Sequence, residues 1–360
     1  MNDGSKVDPK SLARSEILNL EPYESSLLPG AVKMDANENH FPWPPGMREE
    51  LLRLNIVLNR YPDPGATELK YAIAQYTGVE PRGILVGNGS DEVIQMILAT
   101  FGGPGKTVLI HPPTFGMYAA AAAVTGTGIR RLPLRDGLYL DREGLLAAAQ
   151  APDVSVLIVC SPNNPTGTLF AKDDLIQLVR ESGKIVIMDE AYAEFSGQTL
   201  MPEIALYPNL LVMRTFSKAF ALAGLRLGYL LGQAVTISLI NRVRQPFNVN
   251  AFTQQAGVIA LKYVSEYKQQ IQTLKTETKK LYTALSEIRH LRVFPTESNF
   301  ILFKPVDALY WYRELLKRGF QVRDMGTLQT LGHCLRVSPG LPEENRCFIT
   351  AVRDIANQIG

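Results

Sequence analysis

Two apolar runs with a charged segment between them occupy residues 155–192: SVLIVCSPNNPTG (155–167), KDDLIQLVRESG (172–183) and KIVIMDEAY (184–192). The first and last are continuous rather than alternating, so each is predicted to be a strand covered on both faces; the middle segment is predicted to be a helix. Strands separated by helices imply a mostly parallel sheet with helices on both sides. In such sheets ligands sit beyond the carboxyl ends of the strands. Here those ends carry SPNNPTG and DEAY, among the most polar and unusual residues of the chain.

The same alternation extends outward. TELKYAIAQYTG, DEVIQMILATF and FGMYAAAAAVTG are predicted helices, and GILV, KTVLI, LLVMRT and LGYLL predicted strands. LLVMRTFSK supplies a third polar strand end, so SPNNPTG, DEAY and TFSK are predicted to converge. HFPWPPG and RYPDPG are proline-dense loops with a short helix between them. After QPFNVN the pattern changes. Residues 251–290 read as almost continuously helical, and SNFILF, DALYWYRELLKRG, FQVRDM, CLRVSPG and a closing helix give a βαββα order. The predicted organisation is α/β: an N-terminal arm with a short helix (1–35), a large domain (36–250) and a smaller α+β domain (251–360) against which the arm packs.

Bulk properties remove several function classes. Of 360 residues, 37 are Lys or Arg and 35 Asp or Glu, a net charge of +2 that gives no electrostatic reason to expect nucleic acid or an anionic membrane. No apolar run reaches the ~18 residues of a membrane span. The first 30 residues lack an apolar signal core, and three scattered cysteines, Cys160, Cys334 and Cys347, read as reduced thiols, so a cytoplasmic protein is expected. The four histidines never fall at ligand spacing, which argues against a metal site.

GGPGKT (102–107) imitates a phosphate loop, but its first required glycine is Thr100, and it closes a helix instead of opening one. GNGSDE (87–92) does follow a strand and open a helix. Ser90 and Asp91 then either cap that helix or, with its free amides, form an anion site. Lys218, in TFSKAFALAGLRLG (215–228), has apolar or small neighbours, so its amine is expected to point into a cleft with a lowered pKa and to be able to form a Schiff base. Thr215, Ser217 and Arg226 suit the phosphate of the same aldehyde ligand. Asp189 follows a mostly apolar run, where a carboxylate either caps the next helix or pairs with a cation such as a pyridinium nitrogen. Asn164 and Tyr192 can hydrogen-bond a phenolate oxygen, and Phe115 and Ala191 can cover the two faces of a pyridine ring.

SPNNPTG, DEAYAEF and TFSKAFALAGLRLGY, in that order, resemble the fold-type I pyridoxal-phosphate aminotransferases. MDANEN, RYPDP, GNGSDE, PPTFGMY, PFNVN and SNFILF narrow the resemblance to the histidinol-phosphate aminotransferase family, from about residue 20 to the end of the chain. It implies a seven-stranded large domain, pyridoxal 5'-phosphate bound through Lys218, Asp189 at the pyridine nitrogen, and Tyr192 and Asn164 at the ring oxygen. Thr215, Ser217, Arg226, Ser90 and Asp91 take the phosphate. Tyr61 is similar to a tyrosine that reaches this phosphate from the other subunit, which implies a homodimer; otherwise it packs in its proline turn.

The resemblance also places Tyr23, Asn37, Arg323 and Arg336 at the substrate. Two guanidiniums suit both histidinol phosphate and glutamate, the latter formed from 2-oxoglutarate in a ping-pong exchange. ESSLL after Tyr23 has no basic residue where relatives often carry one. The alternatives are therefore an aromatic amino acid aminotransferase or a decarboxylase acting on a phosphate ester such as threonine phosphate. A cofactor-binding transcription regulator would carry an N-terminal winged-helix DNA-binding module, and the about 35 residues before the large domain have no basic helix pair.

Overall fold

Val156, Leu157, Ile158 and Val159 are completely buried, as a run covered on both faces requires. Their side chains alternate between two cores: Val156 and Ile158 belong to one, Leu157 and Val159 to the other. Period-two alternation of this kind identifies a strand between two helical layers. The computed structural model describes residues 7–22, 28–329 and 331–359.

In chain order the strands are β1 (Val32–Lys33), β2 (Ile84–Asn88), β3 (Thr107–Ile110), β4 (Gly128–Arg131), β5 (Val154–Cys160), β6 (Ile185–Asp189), β7 (Leu210–Thr215) and β8 (Leu227–Leu231), then β9 (Leu291–Val293), β10 (Ile301–Pro305), β11 (Phe320–Gln321), β12 (Arg323–Leu328) and β13 (Gly332–Val337). β2 to β8 form one seven-stranded sheet in the order β2-β8-β7-β6-β5-β3-β4. Its neighbours pair in parallel except at β8, which is antiparallel to both β2 and β7. The α/β expectation holds, including the smaller second sheet, β12-β13-β10-β9, which is antiparallel.

One core lies under the helices Ser90–Phe101 and Met117–Thr125; the other gathers the helices Thr67–Thr77, Lys172–Glu181 and Ala251–Lys262. A third core lies against the smaller sheet, with Trp311 and Phe348 fully buried and Met34 among its members. The expected long helix is two, Ala251–Lys262 and Val264–Ser286, separated at Tyr263. Tyr267, Ile271 and Leu274 of the second join the large core, whereas Leu281 and Leu285 join the small one, so the two cores meet along this helix.

Where one short helix was expected, the arm has two, Pro9–Leu12 and Ser15–Leu18. Further on, Val32–Lys33 pairs parallel to β11, and Arg14 donates to Val124 O (2.7 Å) at the end of the helix Met117–Thr125. β4 and β9 carry no apolar run to announce them. Gly128 and Arg131 at the ends of β4 are exposed, because β4 is an outer strand of its sheet.

Candidate active site

β5, β6 and β7 are neighbours, so the polar residues at their carboxyl ends meet. β8 runs the other way, which brings its first residues to the same edge: Thr215 lies opposite Gly228, and Leu227 opposite Asn88. The antiparallel strand thus carries Arg226 to the start of the helix Ser90–Phe101. Arg226 donates to Asp91 Oδ2 at 2.9 Å. Approach is close here: a Cβ on Gly228 would lie 2.5 Å from Ser90 N, and one on Gly89 2.6 Å from an Arg226 nitrogen. Gly89 has φ +82°, the left-handed region glycine adopts without steric cost. Thr215 and Ser217, both buried, complete this corner, the Thr215 hydroxyl donating to Ser217 Oγ at 3.0 Å. The result is a cradle of helix amides, hydroxyls and a guanidinium, a combination suited to phosphate.

Asp189 is 4% exposed. Tyr118 O–H donates to its Oδ2 at 2.5 Å and Ala191 N–H to its Oδ1 at 3.1 Å. Burial dominates over these two donors and pushes the carboxyl up to about 6. Phe115 stands three residues before Tyr118, their rings edge to face with centroids 5.6 Å apart.

A third group gathers around residues 34–37. Lys218 Nζ donates to Ala36 O at 2.8 Å, and burial, helped by the Arg336 charge, lowers the amine to about 8. Arg336, 7% exposed, donates to Asn164 Oδ1 (2.6 Å) and Asp35 O (2.7 Å) and lies 5.4 Å from the centre of the Phe300 ring. Asn37, at φ 55°, donates through Nδ2 to the Tyr192 hydroxyl at 2.9 Å. Tyr192 packs edge to face on Phe300. One short segment from the amino-terminal side therefore ties the lysine, the asparagine and the tyrosine together.

Arg323 opens β12, and it lies directly opposite Arg336 on β13. Side chains opposite each other in an antiparallel pair share a face. Tyr61 is 80% exposed and stacks on Phe247 at 4.4 Å. Tyr23 lies outside the described residues.

Sequence reading missed several residues. Tyr118 sits inside PPTFGMY, and its spacing from Phe115 was the available signal. Asn299 Nδ2 donates to Asn37 O at 3.1 Å, and Ser338 Oγ accepts from Asn37 N–H at 3.2 Å. Behind the strand ends, buried Arg214 bridges Glu190 (2.7 Å) and Glu194 (3.0 Å). Each of these depends on a partner remote in sequence, and no local pattern reveals it.

The residues present fit pyridoxal phosphate. A buried, doubly held carboxylate suits a ring nitrogen that carries a proton, a lysine of lowered pKa suits an aldehyde, and the glycine-floored cradle suits the phosphate.

The family model described as aminotransferase class I and II matches residues 29–352. The chain is 53% identical to the histidinol-phosphate aminotransferase of Desulfitobacterium hafniense (strain Y51) over 97% of this chain and 99% of that one. The crystal structure of the histidinol-phosphate aminotransferase from Clostridium acetobutylicum is similar with a TM-score of 0.83 at 26% identity, covering 91% of this chain and 99% of that chain. The Sinorhizobium meliloti enzyme of the same name, in complex with pyridoxal-5'-phosphate, has a TM-score of 0.83 over 92% of both chains; at 24% identity it bears on the fold.

Proposed function

This chain belongs to the class I and II aminotransferases, and we propose that it moves the amino group of L-histidinol phosphate to 2-oxoglutarate, giving imidazole acetol phosphate and L-glutamate. The observation that carries the substrate is the pairing of Arg323 with Arg336 across β12 and β13 in a chain 53% identical to a named histidinol-phosphate aminotransferase. Two guanidiniums on one face match a phosphate on one substrate and the second carboxylate of glutamate on the other.

Pyridoxal 5'-phosphate, when bound, supplies an aldehyde that accepts the amino group and a ring that withdraws electrons from the adjacent carbon. Lys218 is the residue for that aldehyde, and its lowered pKa leaves a useful fraction of neutral amine near pH 8. Nζ can then take a proton from the substrate's Cα and return it on the other side of the exchange. Asp189 would hold the ring nitrogen and stabilise a proton there. Asn164 and Tyr192 would bind the ring oxygen, each already held by a group of the substrate side: Arg336 for Asn164, Asn37 for Tyr192. Phe115 and Ala191 would cover the two ring faces. Thr215, Ser217, Arg226 and the amides of Ser90 and Asp91 grip the phosphate, and Tyr23, Asn37, Arg323 and Arg336 bind substrate.

We place the active unit in a homodimer, with Tyr61 reaching the partner's phosphate cradle. Its exposure, beside exposed Val57 and Leu58, supports an interface there. Three free thiols fit a reducing, cytoplasmic setting.

The test is glutamate formation from 2-oxoglutarate with L-histidinol phosphate as donor, run beside L-phenylalanine. Turnover with histidinol phosphate at far lower concentration supports the assignment, with parallel-line kinetics. Turnover with phenylalanine alone moves the chain to the aromatic enzymes, and carbon dioxide released from L-threonine O-phosphate, supplied in a parallel assay, to the decarboxylases.

A further inference from the structure

We propose that Tyr118 is a positioning residue for the cofactor ring: its hydroxyl holds the Asp189 carboxylate while its ring edge holds Phe115. One side chain thereby fixes both the group at the pyridine nitrogen and the ring that lies against its face. The inference rests on the placement of Asp189 and Phe115 proposed above.

Tyr118 is completely buried in the first turn of the helix Met117–Thr125. Its O–H meets Asp189 Oδ2 at 2.5 Å, and Ala191 N–H holds Oδ1, so each carboxylate oxygen has a donor and the plane of the carboxylate is set. The phenol keeps its proton for this bond, because burial and the neighbouring carboxylate push its own pKa well up. The same bond has an electrostatic effect. Burial, Asp91 from the helix Ser90–Phe101 and the adjacent Glu190 all favour a protonated Asp189, whereas Tyr118 and the Ala191 amide favour the carboxylate. The Cys160 thiol, at the end of β5, is itself pushed up and neutral, so it adds no charge to this balance. With Tyr118 donating, a proton shared between Asp189 and the ring nitrogen stays on the nitrogen, where it makes the ring an electron sink.

A tyrosine that merely fills the core would serve equally well as phenylalanine, and that is the test. Tyr118→Phe keeps the edge-to-face contact with Phe115 and removes only the hydroxyl. The full-length parent, Tyr118→Phe and Asp189→Asn are stripped of cofactor and titrated with pyridoxal 5'-phosphate through the pH range around the Asp189 value of about 6. The loaded proteins are then compared by the ¹⁵N chemical shift of ring-labelled cofactor. Tyr118→Phe is expected to bind about tenfold more weakly near neutral pH. Its pH dependence should be displaced upward, and its nitrogen shift should move toward that of unprotonated pyridine. Parent-like affinity, pH dependence and shift in Tyr118→Phe, with Asp189→Asn impaired, overturns the proposal; so does weaker binding with an unmoved pH dependence and shift, which is packing alone. Parent-like behaviour of Asp189→Asn instead overturns the placement of Asp189 on which the proposal rests.

Discussion

Lys218 and Asp189 are both driven toward neutrality by burial, the amine downward to about 8 and the carboxyl upward to about 6. The consequences for the cofactor-free protein have opposite signs. An unfolded lysine titrates near ~10.4, so between about 8 and that value the folded chain binds fewer protons and gains stability as pH rises. Lys218→Met removes the buried charge. It should be more stable than the parent at pH 7 by about 1–3 kcal/mol, with the gap closing toward alkaline pH, as read by urea denaturation. Asp189, raised from the ~3.9 of an unfolded chain, contributes stability that is complete below that value and lost as pH rises through 6. Asp189→Asn should therefore match the parent in acid and exceed it at neutral pH, while binding cofactor less well. Both substitutions exchange function for stability, as expected where ionisable groups are buried for chemistry rather than for folding. The sequence exposed these two residues because each follows an apolar run at a strand end, a local pattern. It did not expose Tyr118, whose partner is 71 positions away.

At the scale of elements, β6 and β7 are locked behind the site by Arg214, 4% exposed and bonded to Glu190 and Glu194; Glu190 also accepts from Thr199 and Leu200 N–H. Arg214→Met leaves two buried carboxylates without their cation. The expected loss is about 3–5 kcal/mol, seen as an earlier urea transition even without cofactor. β8 contributes in another way. Its antiparallel direction, which an apolar run such as LGYLL does not announce, sets Gly228 against the Ser90 amide. Gly228→Ala must displace backbone at 2.5 Å, and should weaken cofactor binding and cost about 1–3 kcal/mol of stability; the first is measured by titration, the second by thermal unfolding. In the large sheet the strands legible in advance were those with continuous burial, β2, β3 and β5 to β8. β4, with exposed ends and two arginines, escaped because an outer strand needs no apolar run.

For the whole molecule, a site completed by Tyr61 of a second subunit predicts complementation. Lys218→Ala and Tyr61→Ala, each nearly inactive alone, should recover about a quarter of parental turnover when unfolded and refolded together, since half the dimers then carry one intact site. Recovery of none would assign Tyr61 to its own subunit, in keeping with its stacking on Phe247.

By itself the sequence determined the layered α/β architecture, the strand ends that carry Asn164, Asp189 and Thr215, and the chemical kinds present at the site. All of these follow from short-range patterns of apolar and polar residues. Tertiary structure alone decided which groups meet. Arg336 reaches Asn164 across 172 positions, and Lys218 reaches Ala36 across 182. Those bonds exist because a parallel sheet aligns strand ends that are distant in the chain, and because residues 34–37 pass between the large sheet and the smaller one. No local pattern encodes either fact.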